Sequence, residues 1–306
     1  MTVRASRSVR SCAALLIAVL ILPAVAIAQQ KPTAAKPAPA AQPAKPQPAK
    51  PQAQAPATAS RPGASLFGDS EGPLTIEADD GIEWLREQKR YVARGNAVAS
   101  RGDMKIMADV LSATYAEREG SGQQIQRVEA AGNVRIVTKT ETAYGDTAVY
   151  TAATDDPVFV LIGKKLRIES ARGVIYARDS LEYWEKREIA VARGDAFVIE
   201  GDHRLKADVL VASMGKNPKT GKQEIVRIDA DGNIHVSTPT DIVRGEKGVY
   251  NLLTDIVKLC GNVRITRGQD QLNGSCAEVN LKTGISRLAG GQSGRVRGLF
   301  TPPAGR

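Results

Sequence analysis

Imidazoles, thiols, paired carboxylates and glycine-rich loops are the groups that most often carry chemistry, and this chain is poor in the first two. Its 306 residues include only His203 and His235, with cysteines at Cys12, Cys260 and Cys276. A hydrolase triad needs a histidine oriented by a carboxylate beside a nucleophile. His203 sits in the polar corner "EGDHR", and His235 alternates with Ile234 and Val236, so both read as wet-face residues. No H-E-x-x-H or C-x-x-C occurs. Asp79-Asp80 and Asp155-Asp156 are acid pairs of the kind that bind calcium or flank a glycosidic bond, but each stands alone at a turn. We expect no catalytic, cofactor or metal site, and read the chain as a non-enzyme.

Glycine is the remaining candidate. "VARGNAVAS" (92–100) returns as "VARGDAFVI" (191–199). A phosphate-binding loop, an adhesion tripeptide at Arg193-Gly194-Asp195 and a structural corner all fit that phrase in isolation. A phosphate loop needs a helix after its glycines, and here a strand-like run follows each time. Related points read "RGN", "AGN", "RGD", "DGN" and "CGN", so what persists is Gly followed by Asn or Asp. Such a pair supplies positive φ and local side-chain hydrogen bonds, which reverse or bend the chain between strands. The corner reading is therefore preferred.

The elements around these corners are short, period-two alternations such as "MKIMADVL" (104–111), "NVRIVT" (133–138) and "NVRITRG" (262–268). They are rich in Val, Ile and Thr and bounded by Gly, Asn and Asp, which predicts strands with one buried face. No window of helical length carries an apolar stripe. Glycines recur at Gly95, Gly132, Gly163, Gly194, Gly232 and Gly261. "ADVLSA" (108–113) matches "ADVLVA" (207–212), and "RVEAAGNVRI" (127–136) matches "RIDADGNIHV" (227–236). The body is thus a duplicated all-β unit of about one hundred residues.

Ahead of it, Arg4, Arg7 and Arg10, an apolar run and Ala26-Ile27-Ala28 form a secretory signal expected to be cleaved after Ala28; an uncleaved anchor is the alternative. Residues 29–72 are dominated by Pro, Ala, Lys and Gln and predict a disordered, semi-extended linker, whose lysines could touch cell wall or lipid headgroups. The body runs over 73–290, with a flexible tail at 291–306. Residues 1–62 hold eight basic side chains and no acid, which accounts for all but one of the formal +9. The body is nearly neutral and has no nucleic-acid footprint. Export permits a Cys260–Cys276 disulfide, with two buried thiols as the alternative.

The stretch "PLTIEADDGIEWLREQKRYVARGNAVASRGDMKIMADVLSA" (73–113) resembles the LptA/OstA family of periplasmic lipopolysaccharide-transport proteins. It looks like that family's I-x-A-D opening, its Gly-Asn corner and its A-D-x-L strand end. The pattern returns at "YWEKREIAVARGDAFVIEGDHRLKADVLVA" (183–212), and in part at "DIVKLCGNVRITRGQDQLNGSCAEVNLKTGISRL" (255–288).

The resemblance implies an open β-jellyroll, two antiparallel sheets forming a V, in the periplasm. It implies that acyl chains of lipopolysaccharide lie in an apolar groove, without a cofactor. Its partners would be the inner- and outer-membrane transport components and further copies of the chain, joined head to tail. Inward groove candidates are Val98, Ile106, Val110, Val134, Ile136, Val158, Val160, Ile162, Leu205, Val209, Val263 and Ile265. Headgroup candidates at the mouth are Lys105, Arg135, Lys164, Lys165 and Arg264. Docking edges are expected at Leu74–Trp84 and Ala277–Leu281. The alternative reading is an envelope scaffold, a β-solenoid of parallel coils that binds protein or polysaccharide without lipid. A carbohydrate-active protein is a third, disfavoured because neither isolated acid pair is a convincing one.

Overall fold

A computed structural model describes residues 74–118, 122–283, 285–290 and 294–301. The stretches read as signal and linker, and part of the one read as tail, lie outside the described residues. The first unit contains β1 (Thr75–Glu77), β2 (Gly81–Leu85), β3 (Arg90–Arg101), β4 (Met104–Arg118), β5 (Gly122–Val137), β6 (Glu141–Thr151), β7 (Val158–Ile162) and β8 (Leu166–Ser170). The second contains β9 (Val174–Ala177), β10 (Ser180–Trp184), β11 (Ile189–Glu200), β12 (His203–Lys216), β13 (Gln223–Ser237), β14 (Asp241–Asn251), β15 (Ile256–Arg267) and β16 (Asp270–Asn280). It closes with β17 (Ile285–Ala289) and β18 (Arg297–Leu299). No helix occurs among the described residues.

The long strands carry the architecture. Along β3, β2 pairs with the first half and β1 with the second. Along β6, β8 pairs with the first half and β7 with the second. Along β11, β10 takes the first half and β9 the second, and along β16, β18 and β17 divide the strand in the same way. Each long strand therefore crosses two layers. Layer one runs from β2 through β7 and β10 to β17; layer two runs from β1 through β8 and β9 to β18. Every pairing is antiparallel, as a jellyroll requires, and the parallel coil of a solenoid is absent among the described residues. The all-β, internally duplicated expectation holds.

The Gly-Asx corners lie on the line where the layers meet. Gly95, Gly132, Gly194, Gly232 and Gly261 all have positive φ, and so do Asn96, Asn133, Asp195, Asn233 and Asn262 after them. The pairing register breaks at each of these points. Two consecutive left-handed residues make a bulge, which bends a strand without ending it. The corners thus bend the chain inside continuous strands and do not reverse it. Neighbouring acids hold them: Asn233 Nδ2 donates to Asp208 (2.8 Å), Asn133 Nδ2 to Asp109 (3.0 Å) and Asn96 Nδ2 to Asp79 (2.7 Å).

Two boundaries differ from expectation. The stretch read as a tail contributes β18, paired to β16, so the sheet extends to Leu299. Ala277–Asn280 belongs to β16, already paired on both sides; the terminal edge is β17 and β18.

Candidate functional site

Alternation along each strand sends one row of side chains inward from each layer. In layer one, Ile82 faces Ala93, which faces Leu111, then Ala130, Ala148 and Leu161. The row continues through Leu181, Ala192, Leu210, Ala230, Gly248 and Leu259 to Ala277 and Leu288. In layer two, Ile76 faces Ala99, then Ile106, Ile136, Ala143 and Ile168. That row runs on through Ile175, Val198, Leu205, Val236, Val243 and Ile265 to Leu272. Each row is apolar from one end of the molecule to the other. Space over the small residues of layer one is limited: a Cβ added at Gly248 would stand 3.2 Å from Ile234 Cδ1 and 3.4 Å from Leu259 Cδ1.

One core cluster runs through both units: Val134, Leu161 and Leu166 in the first and Val263 in the second are fully buried. In the second unit the layers part around a cavity of about 330 Å3. Ile228, Tyr250 and Val257 line it from layer one, and Leu205, Val243 and Ile265 from layer two, with Phe300 at its end. Its ionic corner is a pair on adjacent strands: Arg267 Nε donates to Asp241 Oδ1 (2.7 Å) and an Arg267 terminal nitrogen to Oδ2 (3.0 Å), with Thr240 Oγ1 also donating to Oδ2 (2.7 Å). At the equivalent place in the first unit, Glu141 faces Ser170. Burial there pushes the Glu141 carboxyl above the usual glutamate range.

A second inward row, one step further from the corners, is studded with aromatics. It runs Trp84, Tyr91, Ala113, Val128, Tyr150, Phe159 and Tyr183. At the β2 end Trp84 stacks on Tyr91 (5.6 Å), Trp84 Nε1 donates to Tyr115 Oη (2.8 Å), and Arg86 lies 4.2 Å over the Trp84 ring.

Of the groove candidates, Ile106, Val134, Ile136, Leu205 and Val263 are buried on the inner side, and Ile265 is partly buried there. The others point away. Val98 alternates with buried Ala97 and Ala99. Val158, Val160 and Ile162 alternate with inward Phe159 and Leu161, and Ile162 is exposed. Val110 and Val209 fail for a different reason. Period two carried from Ile106 or Leu205 crosses a register shift (Met107/Val110, Lys206/Val209), after which Leu111 and Leu210 face inward instead.

Lys105, Arg135 and Arg264 occupy outward positions and are exposed, so they do not line the mouth of the cavity. Lys164 and Lys165 lie in the β7–β8 turn, with Lys164 N donating to Asp146 Oδ2 (2.9 Å). Cys260 and Cys276 stand opposite each other on β15 and β16 and form a disulfide, bracing the end that holds the cavity. The sequence reading missed Ile228, Tyr250, Val257 and Val279. Their alternation in "EIVRID", "GVYN" and "DIVKL" was a usable signal. Asp79, Asp80 and Asp156 serve the fold: Asp79 and Asp80 hold the first corner, and Asp156 accepts from Arg187 (2.5 Å).

Residues 75–178 and 174–285 each match the family described as LptA/(LptD N-terminal domain) LPS transport protein. A protein of Rhizobium meliloti (strain 1021), described as uncharacterized protein R00383, is 24% identical over 127 residues, which is 40% of this chain and 68% of that protein. Among solved structures, LptH is the LptA-homologous periplasmic component of the lipopolysaccharide transport device of Pseudomonas aeruginosa. It aligns over 76% of this chain and 99% of its own, at 12% identity and a TM-score of 0.20. The two family matches span both units and most of the chain, and the chain belongs to the LptA/LptD N-terminal-domain family of lipopolysaccharide transport proteins.

Proposed function

We propose that this protein works in the periplasm, holds the acyl chains of lipopolysaccharide between its two layers, and passes them along the inner face. The observation that carries this reading is the pair of uninterrupted apolar rows, ending in a cavity lined by aliphatic side chains from both layers. Each acyl CH2 moved from water into such a site contributes about 0.8 kcal/mol, so transfer needs no covalent step. The residues that line the path are Ile106, Val134 and Ile136 in the first unit, and Leu205, Ile228, Val257 and Ile265 in the second.

Both ends of each layer are strand edges: β1 and β2 at one end, β17 and β18 at the other. Unpaired edges accept further strands. Head-to-tail pairing of copies, or pairing with membrane-bound transport components, would join the inner faces into one bridge. The test is photocrosslinking in intact cells, with the probe at Ile228 on the cavity wall and, as control, at Val211 on the outer side. Lipopolysaccharide adducts at Ile228 and none at Val211 are expected. Equal labelling of the two positions, or no adduct at Ile228 in a folded, exported protein, overturns the reading.

A further inference from the structure

The outer faces of the two layers differ in charge. On layer one, acids and bases neutralise one another: Arg193–Glu182 (2.8 Å), Arg127–Glu129 (2.7 Å), Arg227–Asp229 (2.6 Å) and Lys258–Glu278 (3.0 Å). Layer two is different. Its outer row runs Glu77, Val98, Met107, Arg135, Tyr144, Arg167 and Tyr176, with Arg167 paired to Glu169 (2.6 Å). It continues through Phe197 to Lys206, His235, Arg244, Arg264, Asn273 and Arg297. No carboxylate stands in that row from Val98 to Arg297.

From Lys206 to Arg264 the basic groups occupy four consecutive strands, a span of about 14 Å at the usual strand spacing. Like charges directly opposite across strands repel and cost stability. The field is felt within the row, where burial and the neighbouring Arg244 and Lys206 hold the His235 imidazole below its usual range. Lys206 reaches Asp195 (3.2 Å), but among the described residues no carboxylate pairs with Arg244, Arg264 or Arg297. On the corner side, Asp208 and Glu246 accept from the neutral amides of Asn233 (2.8 Å) and Asn262 (2.5 Å), which fixes their place beside the corners.

The adjacent outer row supplies apolar surface beside the charge. Ser237, Ile242, Thr266, Gln271 and Leu299 are neutral, and Ile242 (42%) and Leu299 (60%) are the exposed large hydrophobics among them. Among the described residues no strand covers this face.

We propose that the outer face of layer two, at the β12–β18 end, docks on an anionic lipid headgroup layer, with Arg244, Arg264 and Arg297 on lipid phosphates and Ile242 and Leu299 at the acyl boundary. Basic side chains beside exposed aliphatics on one sheet face suit a bilayer surface. A soluble polyanion would match the arginines and leave the aliphatics without a role. This surface looks away from the inner rows, so it adds a membrane contact to the proposed transport path and is tested separately from it.

The experiment is cosedimentation of the purified chain with vesicles of phosphatidylcholine, alone or mixed equally with phosphatidylglycerol. Binding to the mixed vesicles only is expected. Arg244→Gln and Arg264→Gln should each weaken it about fivefold, and Ile242→Ser should weaken it further with the charge intact. An unchanged circular dichroism spectrum establishes that each variant is folded. Equal affinity for both vesicle types, or anionic binding indifferent to the two arginine variants, overturns the proposal. So does binding to dextran sulfate that Ile242→Ser leaves unchanged, in a chain that ignores vesicles; that result would make the face a polyelectrolyte site. Cavity crosslinking at Ile228 is unaffected by the outer-face variants if the two sites are independent.

Discussion

Gly232→Ala tests the corner as the joint between layers. Gly232 has φ +75°, and a Cβ there would overlap the carboxylate of Asp208. Two costs follow. A side chain held in the left-handed region costs about 1–2 kcal/mol. Displacing Asp208 also breaks its 2.8 Å bond from Asn233, which is worth about 1 kcal/mol. The sum is about 2–3 kcal/mol, or a Tm lower by about 4–12 °C for a body the size of residues 73–290. Gly201 separates the causes. It also has positive φ (+54°), but a Cβ there meets nothing within 4 Å. Gly201→Ala should therefore show the backbone cost alone. Urea unfolding followed by circular dichroism measures both variants. In the Gly232→Ala background, Asp208→Ala should cost about 1 kcal/mol less than in the parent chain, because the bond is already lost. If Gly232→Ala costs no more than Gly201→Ala, or if the double variant is additive, the acid does not hold the corner and the reasoning fails.

Two further outcomes follow from the same geometry. Reducing the Cys260–Cys276 bridge, or replacing both cysteines by serine, should destabilise the chain by about 3 kcal/mol, the loop-closure value for a separation of 16 residues; unchanged urea midpoints with and without reductant would contradict this. Glu141 is held above the usual glutamate range by burial, so the folded state binds more protons than the unfolded one. Its contribution is therefore fully favourable below the ordinary glutamate value of about 4.3 and is lost as pH rises through the raised value. Glu141→Gln should stabilise the protein at neutral pH and flatten the stability profile above that value, and a parallel downward shift at every pH would refute the assignment.

The corners and the inward positions near them were legible in different degrees. Ile106, Val134, Ile136, Leu205 and Val263 follow from period two because each lies on one side of a corner, within an unbroken alternation. Val110 and Val209 lie across a bulge from the residues that set their phase, and a one-residue slip moves a side chain to the opposite face. Val158, Val160 and Ile162 mislead for another reason. "VFVLI" is apolar at every position, so composition cannot pick a phase; pairing of Phe159 with Tyr150 and Leu161 with Ala148 does. The inner row of layer one was hidden because half of its members are alanine or glycine, which fit the close approach of the layers but lack bulk.

Local order decided what the sequence decided. Gly-Asx pairs fix positive φ by their own sterics, alternation fixes strand character, and the hundred-residue recurrence fixes the duplication; all of these are written within a few residues or in a direct repeat. The tertiary structure decided which rows face each other, which strands end the sheet, and where the layers part into a cavity. It also decided that basic residues far apart in sequence, from Lys206 to Arg297, line up across one face. Those outcomes depend on register between strands, and register is settled by packing across the whole sheet and by the bulges that shift it.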